Sequence, residues 1–218
     1  MPIPVRHVVY LHGFASSPAS GKAERFRAEL EGRGVGYSCP DLNAPAFDTL
    51  TTTRMLAQVA QIVAAIPEGP VALVGSSLGA FVAVHAAAAG TTGTIDRLIL
   101  LAPALDFGGN RLRQLGPHGI DEWRQAGHLK VFHYGDGIER QVGYELYADA
   151  ARYDAITLPT HLPTLVFQGD HDESVDPEMV RRWAGGRGQV DLRMLADGHQ
   201  LSDSIEYIWT ESAVFLGL

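Results

Sequence analysis

The chain has 218 residues and a formal net charge of −8. Hydrophobic residues make up 46% of it and charged residues 19%, which is typical of a globular domain with a substantial core. The acidic balance argues against nucleic acid as a partner and against docking on an anionic membrane, because both require a basic surface.

The single cysteine, Cys39, cannot form a disulfide within the chain. We expect it to be a small buried side chain rather than a nucleophile. The first residues lack a basic stretch followed by a long apolar one, and the apolar run at 81–89 is too short to cross a membrane. We therefore expect a cytoplasmic protein without a signal peptide or membrane insertion; the sequence does not determine its oligomeric state.

Short apolar runs alternate with segments of helical periodicity along most of the chain. The apolar runs predict six strands, at residues 8–11, 37–39, 71–74, 98–101, 164–167 and 190–194. The periodic segments predict helices at 23–30, 55–66, 78–89 and 177–183, and from 202 to the C-terminus. This alternation predicts an α/β fold, with a mostly parallel sheet and helices on both faces.

Residues 106–160 interrupt this alternation and show no clear strand pattern. Residues 141–152 are predicted to be helical, and residues of about 106–140 are predicted to form a small helical cap-like insertion. The insertion belongs to one domain that spans residues 1–218. Long insertions of this kind often serve as lids or binding loops.

The strongest chemical signal is Gly75-Ser76-Ser77-Leu78-Gly79, which matches the pattern G-x-S-x-G between a strand and a helix. In that setting the central serine sits on a sharp turn at the N-terminus of a helix. Ser77 is therefore the predicted nucleophile, and a plain glycine-rich turn is the alternative. Ser76 lacks glycine at the matching flanking positions and is rejected.

A serine hydroxyl needs a base, and the base needs a carboxylate that orients it. His199 follows the last predicted strand, whereas His85 lies within a helix and is expected to pack or face solvent. The loop after the fifth strand contains four adjacent ionisable residues, at 170–173. We predict Asp172 as the orienting acid with Asp170 as the second choice; a metal site on this loop is the competing interpretation, and we favour no metal.

An oxyanion hole requires two backbone N–H donors. The first strand is followed by His12, Gly13 and Phe14, and the loop at this place supplies one donor in folds of this kind. We predict that the amides of Phe14 and Leu78 are the donors and that His12 has a structural role.

Phe14 is also a candidate substrate-binding residue, as are three aromatic residues of the insertion: Trp123, Phe132 and Tyr134. The alternative is that these aromatic residues only pack the insertion onto the sheet.

The strings YLHGF, GSSLGA, GDHDESV and DGHQL together resemble the α/β-hydrolase superfamily, and in particular the small YqiA/YcfP-type serine esterases. Ala80 stands where a second glycine is common in those proteins. The resemblance implies a sheet of six to seven strands, a triad of Ser77, Asp172 and His199, and activity on carboxylic esters or thioesters without a cofactor.

We therefore expect a serine esterase that acts through an acyl-enzyme on a small-molecule ester. Three alternatives remain at this stage. The same machinery could cleave a thioester, an amide or a peptide, or the fold could catalyse non-hydrolytic chemistry without a cofactor. A non-catalytic ligand-binding protein of the same fold is the third, and the presence of every triad member argues against it.

Overall fold

The computed structural model describes residues 4–67, 69–90 and 95–218, without the side chain at 112. Eight strands run over His7–Leu11 (β1), Gly36–Ser38 (β2), Val71–Ser76 (β3), Ile95–Leu101 (β4), His128–His133 (β5), Ile138–Gly143 (β6), Thr164–Gly169 (β7) and Val190–Leu195 (β8). Seven α-helices run over Gly21–Glu31 (α1), Thr52–Ala65 (α2), Leu78–Ala88 (α3), Phe107–Ala126 (α4), Glu145–Ala150 (α5), Pro177–Gly185 (α6) and Ile205–Leu216 (α7). No helix within these described ranges is both long enough and apolar enough to cross a bilayer.

Six strands form one sheet in the order β2-β1-β3-β4-β7-β8, and every neighbouring pair is parallel. The prediction of an α/β fold with a parallel sheet of six to seven strands is confirmed. Because all six strands point the same way, their carboxyl ends lie at one edge of the sheet.

Alternate residues of each central strand enter two separate cores, as the two-residue period of a strand requires. In β1, for example, Val9 and Leu11 belong to one core, whereas Val8 and Tyr10 belong to the other. Helices α2, α3 and α6 cover the first core, and α1 and α7 cover the second. The predicted placement of helices on both faces is therefore confirmed.

The segment after β4 differs from the prediction. Helix α4 is interrupted at Gly116, which has a φ of 68° and precedes Pro117. Strands β5 and β6 then pair antiparallel as a hairpin, so the prediction of no strand in residues 106–160 is wrong. Helix α5 is shorter than the predicted helix at 141–152, because residues 141–143 belong to β6. Below, residues 106–143 are called the α4–hairpin segment.

Close approach of two chain segments requires glycine at Gly79, the second residue of α3. A Cβ atom there would lie 2.0 Å from the carbonyl oxygen of Leu11 in β1, and backbone on both sides cannot yield cheaply. We expect Gly79→Ala to lower the melting temperature by about 6–12 °C, which corresponds to roughly 3 kcal/mol of unfolding free energy in a chain of this size.

Gly108→Ala is the matched control, since Gly108 is the second residue of α4 and no atom lies within 4 Å of a Cβ built there. Thermal unfolding followed by circular dichroism compares the two variants. Equal melting temperatures for both would contradict the close approach of α3 to β1.

Candidate active site

Ser77 occupies the turn between β3 and α3 and has a strained backbone. Its φ of 52° and ψ of −112° place a non-glycine residue in a sparsely populated region, which costs roughly 1–3 kcal/mol. The amide of Ser77 donates to the carbonyl oxygen of Leu101 in the neighbouring strand at 2.8 Å, which helps to hold this conformation. A Cβ atom on Gly75 would lie 2.5 Å from Cα of Ala80, so the turn also requires glycine before the serine.

His199 lies on the loop between β8 and α7 and reaches both other members of the predicted triad. Its Nε2 is 3.1 Å from Oγ of Ser77, and its Nδ1 is 2.8 Å from Oδ2 of Asp172. The carboxylate of Asp197 shapes this loop, because it accepts hydrogen bonds from the amides of Gly198 at 2.7 Å and Ser204 at 3.0 Å. The loop is therefore held closed around the imidazole.

Asp172 is buried and each of its oxygens accepts two hydrogen bonds. Oδ1 accepts from the amides of Ser174 and Val175, both at 2.8 Å. Oδ2 accepts from Nε2 of Gln168 at 3.0 Å as well as from the His199 imidazole. Burial by itself raises the pKa of the Asp172 carboxyl. The hydrogen bond and charge of His199 lower this pKa, as do the hydrogen bonds from Val175 and Gln168. The lowering effects are larger, so the pKa lies below its usual range.

Asp170, on the same loop as Asp172, has a different partner. Asp170, the second choice for the orienting acid, forms an ion pair with Arg181 of α6 at 2.6 Å on the surface. Its carboxylate and that of Asp172 therefore face different partners. In the part of the chain that the structure describes, no group of three or more His, Cys, Asp or Glu residues is arranged to hold a metal ion.

The two predicted oxyanion donors flank the serine turn. A Cβ atom on Gly13 would lie 3.4 Å from Cβ of Ser77, so the loop after β1 lies directly against the serine. Within residues 4–67, 69–90 and 95–218, the amides of Phe14 and Leu78 donate no hydrogen bond to another residue. Both N–H groups thus remain available for a ligand beside Ser77.

The predicted structural residue His12 is buried behind this loop. Its Nε2 accepts a hydrogen bond from the amide of Leu42 at 3.0 Å, which leaves Nδ1 to donate to the carbonyl oxygen of Gly13 at 2.9 Å. The imidazole thus ties the loop after β1 to the segment that follows β2.

Ser77 and His199 open into a cleft of about 1020 Å³ that lies between the ends of the strands and the α4–hairpin segment. Three of the four candidate substrate-binding residues, Phe14, Phe132 and Tyr134, line this cleft. Phe132 and Tyr134 lie at the tip of the hairpin, with 51% and 73% of their surfaces exposed. The amide of Tyr134 donates to the carbonyl oxygen of Ala15 at 2.7 Å, so that the hairpin tip is tied to the loop after β1.

The structure does not bring the fourth predicted pocket residue, Trp123, to the cleft. Its side chain is only 2% exposed and packs against Tyr144 and Tyr147. Its Nε1 donates to the carbonyl oxygen of Val142 in β6 at 3.2 Å. The ring therefore joins α4 to β6 and α5, which is the packing role that the sequence left as an alternative.

Two other reactive side chains lie outside the cleft lining. Cys39 is half-buried, and burial raises the pKa of its thiol to about 11, so that the thiolate is scarce at neutral pH. His85 is buried in α3, its Nδ1 is 2.8 Å from the carbonyl oxygen of Phe81, and burial lowers the pKa of its imidazole. His85 therefore packs inside the protein, which is one of the two expectations for it, whereas Cys39 is less buried than expected.

The sequence analysis did not predict several cleft residues, and one group of them belongs to the first turns of α4. This group consists of Phe107, Asn110, Arg111 and Gln114, and Lys22 of α1 also lines the cleft. A helix that starts directly after a central strand begins at the same edge as the serine turn. Asp106 is the N-cap of α4, and its side chain accepts a hydrogen bond from the amide of Gly109 at 2.9 Å. Because Asp is a preferred N-cap residue, it was a sequence signal for the start of this helix.

This fold and the strand–turn–helix around Ser77 define an α/β-hydrolase fold. A putative hydrolase from Agrobacterium vitis S4 has the same fold, with a TM-score of 0.84 and 20% identity over 97% of this chain and 88% of the other. Mouse alpha/beta hydrolase domain-containing protein 10 matches with a TM-score of 0.79 and 20% identity, over 96% and 89% of the two chains. A monoacylglycerol lipase from Paleococcus ferrophilus matches with a TM-score of 0.77 and 17% identity, over 98% and 95%.

The chain belongs to the uncharacterised protein family UPF0227, which matches residues 7–214. The resemblance to the α/β-hydrolase superfamily and the small YqiA/YcfP-type proteins is thereby confirmed. No curated protein matches the sequence.

Proposed function

We propose that this protein is a serine hydrolase that cleaves carboxylic esters through an acyl-enzyme on Ser77. The observation that carries the proposal is the continuous hydrogen-bonded chain from Oγ of Ser77 through His199 to Asp172, at 3.1 and 2.8 Å. At one end of this series of hydrogen bonds the carboxylate of Asp172 is buried, and at the other end Ser77 faces an open cleft. This is the arrangement that activates a serine hydroxyl.

The reaction follows from the positions of these groups. His199 Nε2 accepts the Ser77 proton as Oγ attacks the ester carbonyl carbon, and Asp172 stabilises the imidazolium that forms. The amides of Phe14 and Leu78 donate to the developing oxyanion, and one such donor lowers the barrier by about 3 kcal/mol. His199 then protonates the departing alcohol, and a water molecule deprotonated by His199 releases the acid and regenerates Ser77.

An ester is the preferred substrate class because one structural neighbour carries the name monoacylglycerol lipase. The same groups would attack an acyl thioester, whose carbonyl carbon accepts the same nucleophile. Comparing kcat/KM for p-nitrophenyl butyrate and a butyryl thioester separates these two substrates. The hydrogen-bonded set of Ser77, His199 and Asp172 argues against a protein that only binds ligands, because binding alone does not require an activated hydroxyl.

Labelling by a fluorophosphonate probe tests the nucleophile directly. We expect the wild type to be labelled covalently, with one adduct located by peptide mass spectrometry in the segment that contains residues 76 and 77. Ser77→Ala should not be labelled, because the phosphonate reacts only with an activated hydroxyl.

Ser76→Ala is the matched control, and it should still be labelled. Loss of labelling in the Ser76 variant alone would assign the nucleophile to the neighbouring serine. A wild type that resists the probe while its fold is intact would favour the ligand-binding alternative.

A further inference from the structure

The charge that lines the cleft is opposite to the charge of the chain. The protein has 25 acidic residues and a net charge of −8. Among the described residues that line the cleft, none is Asp or Glu, whereas Lys22 and Arg111 both lie there. A cleft with low-dielectric walls and charge of one sign concentrates ligands of the opposite sign.

Arg111 packs against the side chain of Phe14 in the cleft wall. Its guanidinium carbon is 4.3 Å from the centre of the Phe14 ring and 5.4 Å from that of Phe107. Phe14 is the residue whose amide is the proposed oxyanion donor. The guanidinium therefore lies in the wall of the cleft that also contains Ser77, and cation–π contacts with two rings help to hold it there.

The guanidinium of Arg111 lacks an anionic partner. No carboxylate of the described residues lies within 4.0 Å of it, and its one hydrogen bond runs from Nη1 to Oε1 of Gln114 at 3.1 Å. Its Nε and Nη2 edge, which is the fork that fits a carboxylate or phosphate, has no acceptor in the ranges that the structure covers. Arg111 is partly buried, and this burial lowers its pKa to about 10, so the guanidinium is still charged at neutral pH.

The other cation, Lys22, already has a local role. Its Nζ donates to the carbonyl oxygen of Gln200 at 2.5 Å, next to His199. It adds positive potential to the cleft, but its ammonium is engaged with the loop that carries the base. Arg111 is thus the cation that remains free to bind an anionic group of a ligand.

We infer that Arg111 selects substrates that carry an oxyanionic group, a carboxylate or a phosphate, on the acyl chain beyond the scissile carbonyl. This inference rests on the proposed esterase function and names its substrate class. The ester carbonyl lies at Ser77 while the distal anion pairs with the free fork of Arg111. Hydrolysis then yields the alcohol and an acid with two ionised ends.

A pair of aryl esters of the same length tests this selectivity. The anionic member is p-nitrophenyl hydrogen adipate, and the neutral member is p-nitrophenyl methyl adipate, in which a methyl ester removes the distal charge. We expect the wild type to favour the anionic ester in kcat/KM by about 10- to 100-fold, the effect of a charge-assisted hydrogen-bonded pair. A third ester with a terminal phosphate in place of the carboxylate shows which oxyanion is preferred.

Arg111→Gln should reduce the ratio of the two kcat/KM values to about one, since it removes the charge and the fork. The ratio is the readout because Arg111 also contacts Phe14, so that the absolute rates can change for both esters. Arg113→Gln is the matched control: Arg113 lies on the same helix, but its guanidinium pairs with Asp106 at 2.9 Å. This control should keep the wild-type ratio.

A wild-type ratio near one, or a ratio that Arg111→Gln leaves unchanged, would overturn the inference while Ser77-dependent hydrolysis still supports the esterase. If no ester is hydrolysed, a binding measurement tests the role of Arg111 independently of hydrolysis. Calorimetry of the Ser77→Ala variant with monomethyl adipate should show binding that is lost when Arg111→Gln is added. Equal binding by both variants would also overturn the role of Arg111.

Discussion

The Ser77→Ala variant is expected to hydrolyse p-nitrophenyl butyrate with a kcat about 10⁶-fold below that of the wild type. The methyl group cannot form the acyl-enzyme, and the remaining rate then depends only on the oxyanion donors and on substrate positioning. The fold should be unaffected, since Oγ of Ser77 makes one hydrogen bond, to His199. Steady-state kinetics together with circular dichroism measures both properties.

A second variant, His199→Ala, should lose a similar factor because nucleophile and base act as a unit. The double variant should be no slower than either single variant. His118→Ala serves as the control, since His118 is exposed on α4 and pairs only with Glu122 at 3.2 Å. Independent, multiplicative losses in the double variant would show that Ser77 and His199 do not work in one step.

The fold was readable from the sequence because the central strands are buried on both faces. β1, β3, β4 and β7 appear as short continuous apolar runs, since each side chain enters one of two cores. The predicted ends of these strands differ from the observed ends by only a few residues. Glycine and proline punctuate the intervening helices clearly enough to separate them.

The position of the predicted site was also readable, for a topological reason. The turns that carry Ser77, Asp172 and His199 follow β3, β7 and β8, which are parallel strands of one sheet. Loops after parallel strands meet at one edge, so residues as far apart as Ser77 and His199, 122 positions along the chain, are expected to converge. The sequence could rank Asp172 above Asp170 but could not decide between them, because the direction of a side chain on a loop has no sequence period.

The α4–hairpin segment was not readable, because its burial pattern is weak. β5 and β6 form a two-stranded ribbon with one largely exposed face, and polar residues occupy many of its positions. The Gly135-Asp136-Gly137 turn was a usable hairpin signal that was missed. The proposed role of Arg111 in the cleft could not be predicted for a different reason. The proposal depends on the absence of a carboxylate near the guanidinium, and only the tertiary structure shows which groups lie near it.

The Asp172→Asn variant is expected to lower kcat by about 10⁴-fold while the protein remains folded. An asparagine oxygen in place of Oδ1 can still accept from the amides of Ser174 and Val175. The amide nitrogen then replaces Oδ2 and faces two donors, Gln168 Nε2 and His199 Nδ1. To avoid this clash the imidazole must carry its proton on Nε2, and it can then no longer accept the proton of Ser77.

Asp170→Asn is the matched control on the same loop, and it should retain activity because its carboxylate pairs with Arg181 at the surface. The two variants should also differ in acid stability. Because the folded-state pKa of Asp172 lies below its usual value, ionised Asp172 stabilises the fold above about pH 4, and this contribution disappears as the pH falls further. Asp172→Asn should therefore lose stability at pH 7 and approach the wild type in acid. Full activity in Asp172→Asn would contradict the assignment of Asp172 as the orienting carboxylate. A loss of activity in Asp170→Asn instead would transfer that role to Asp170.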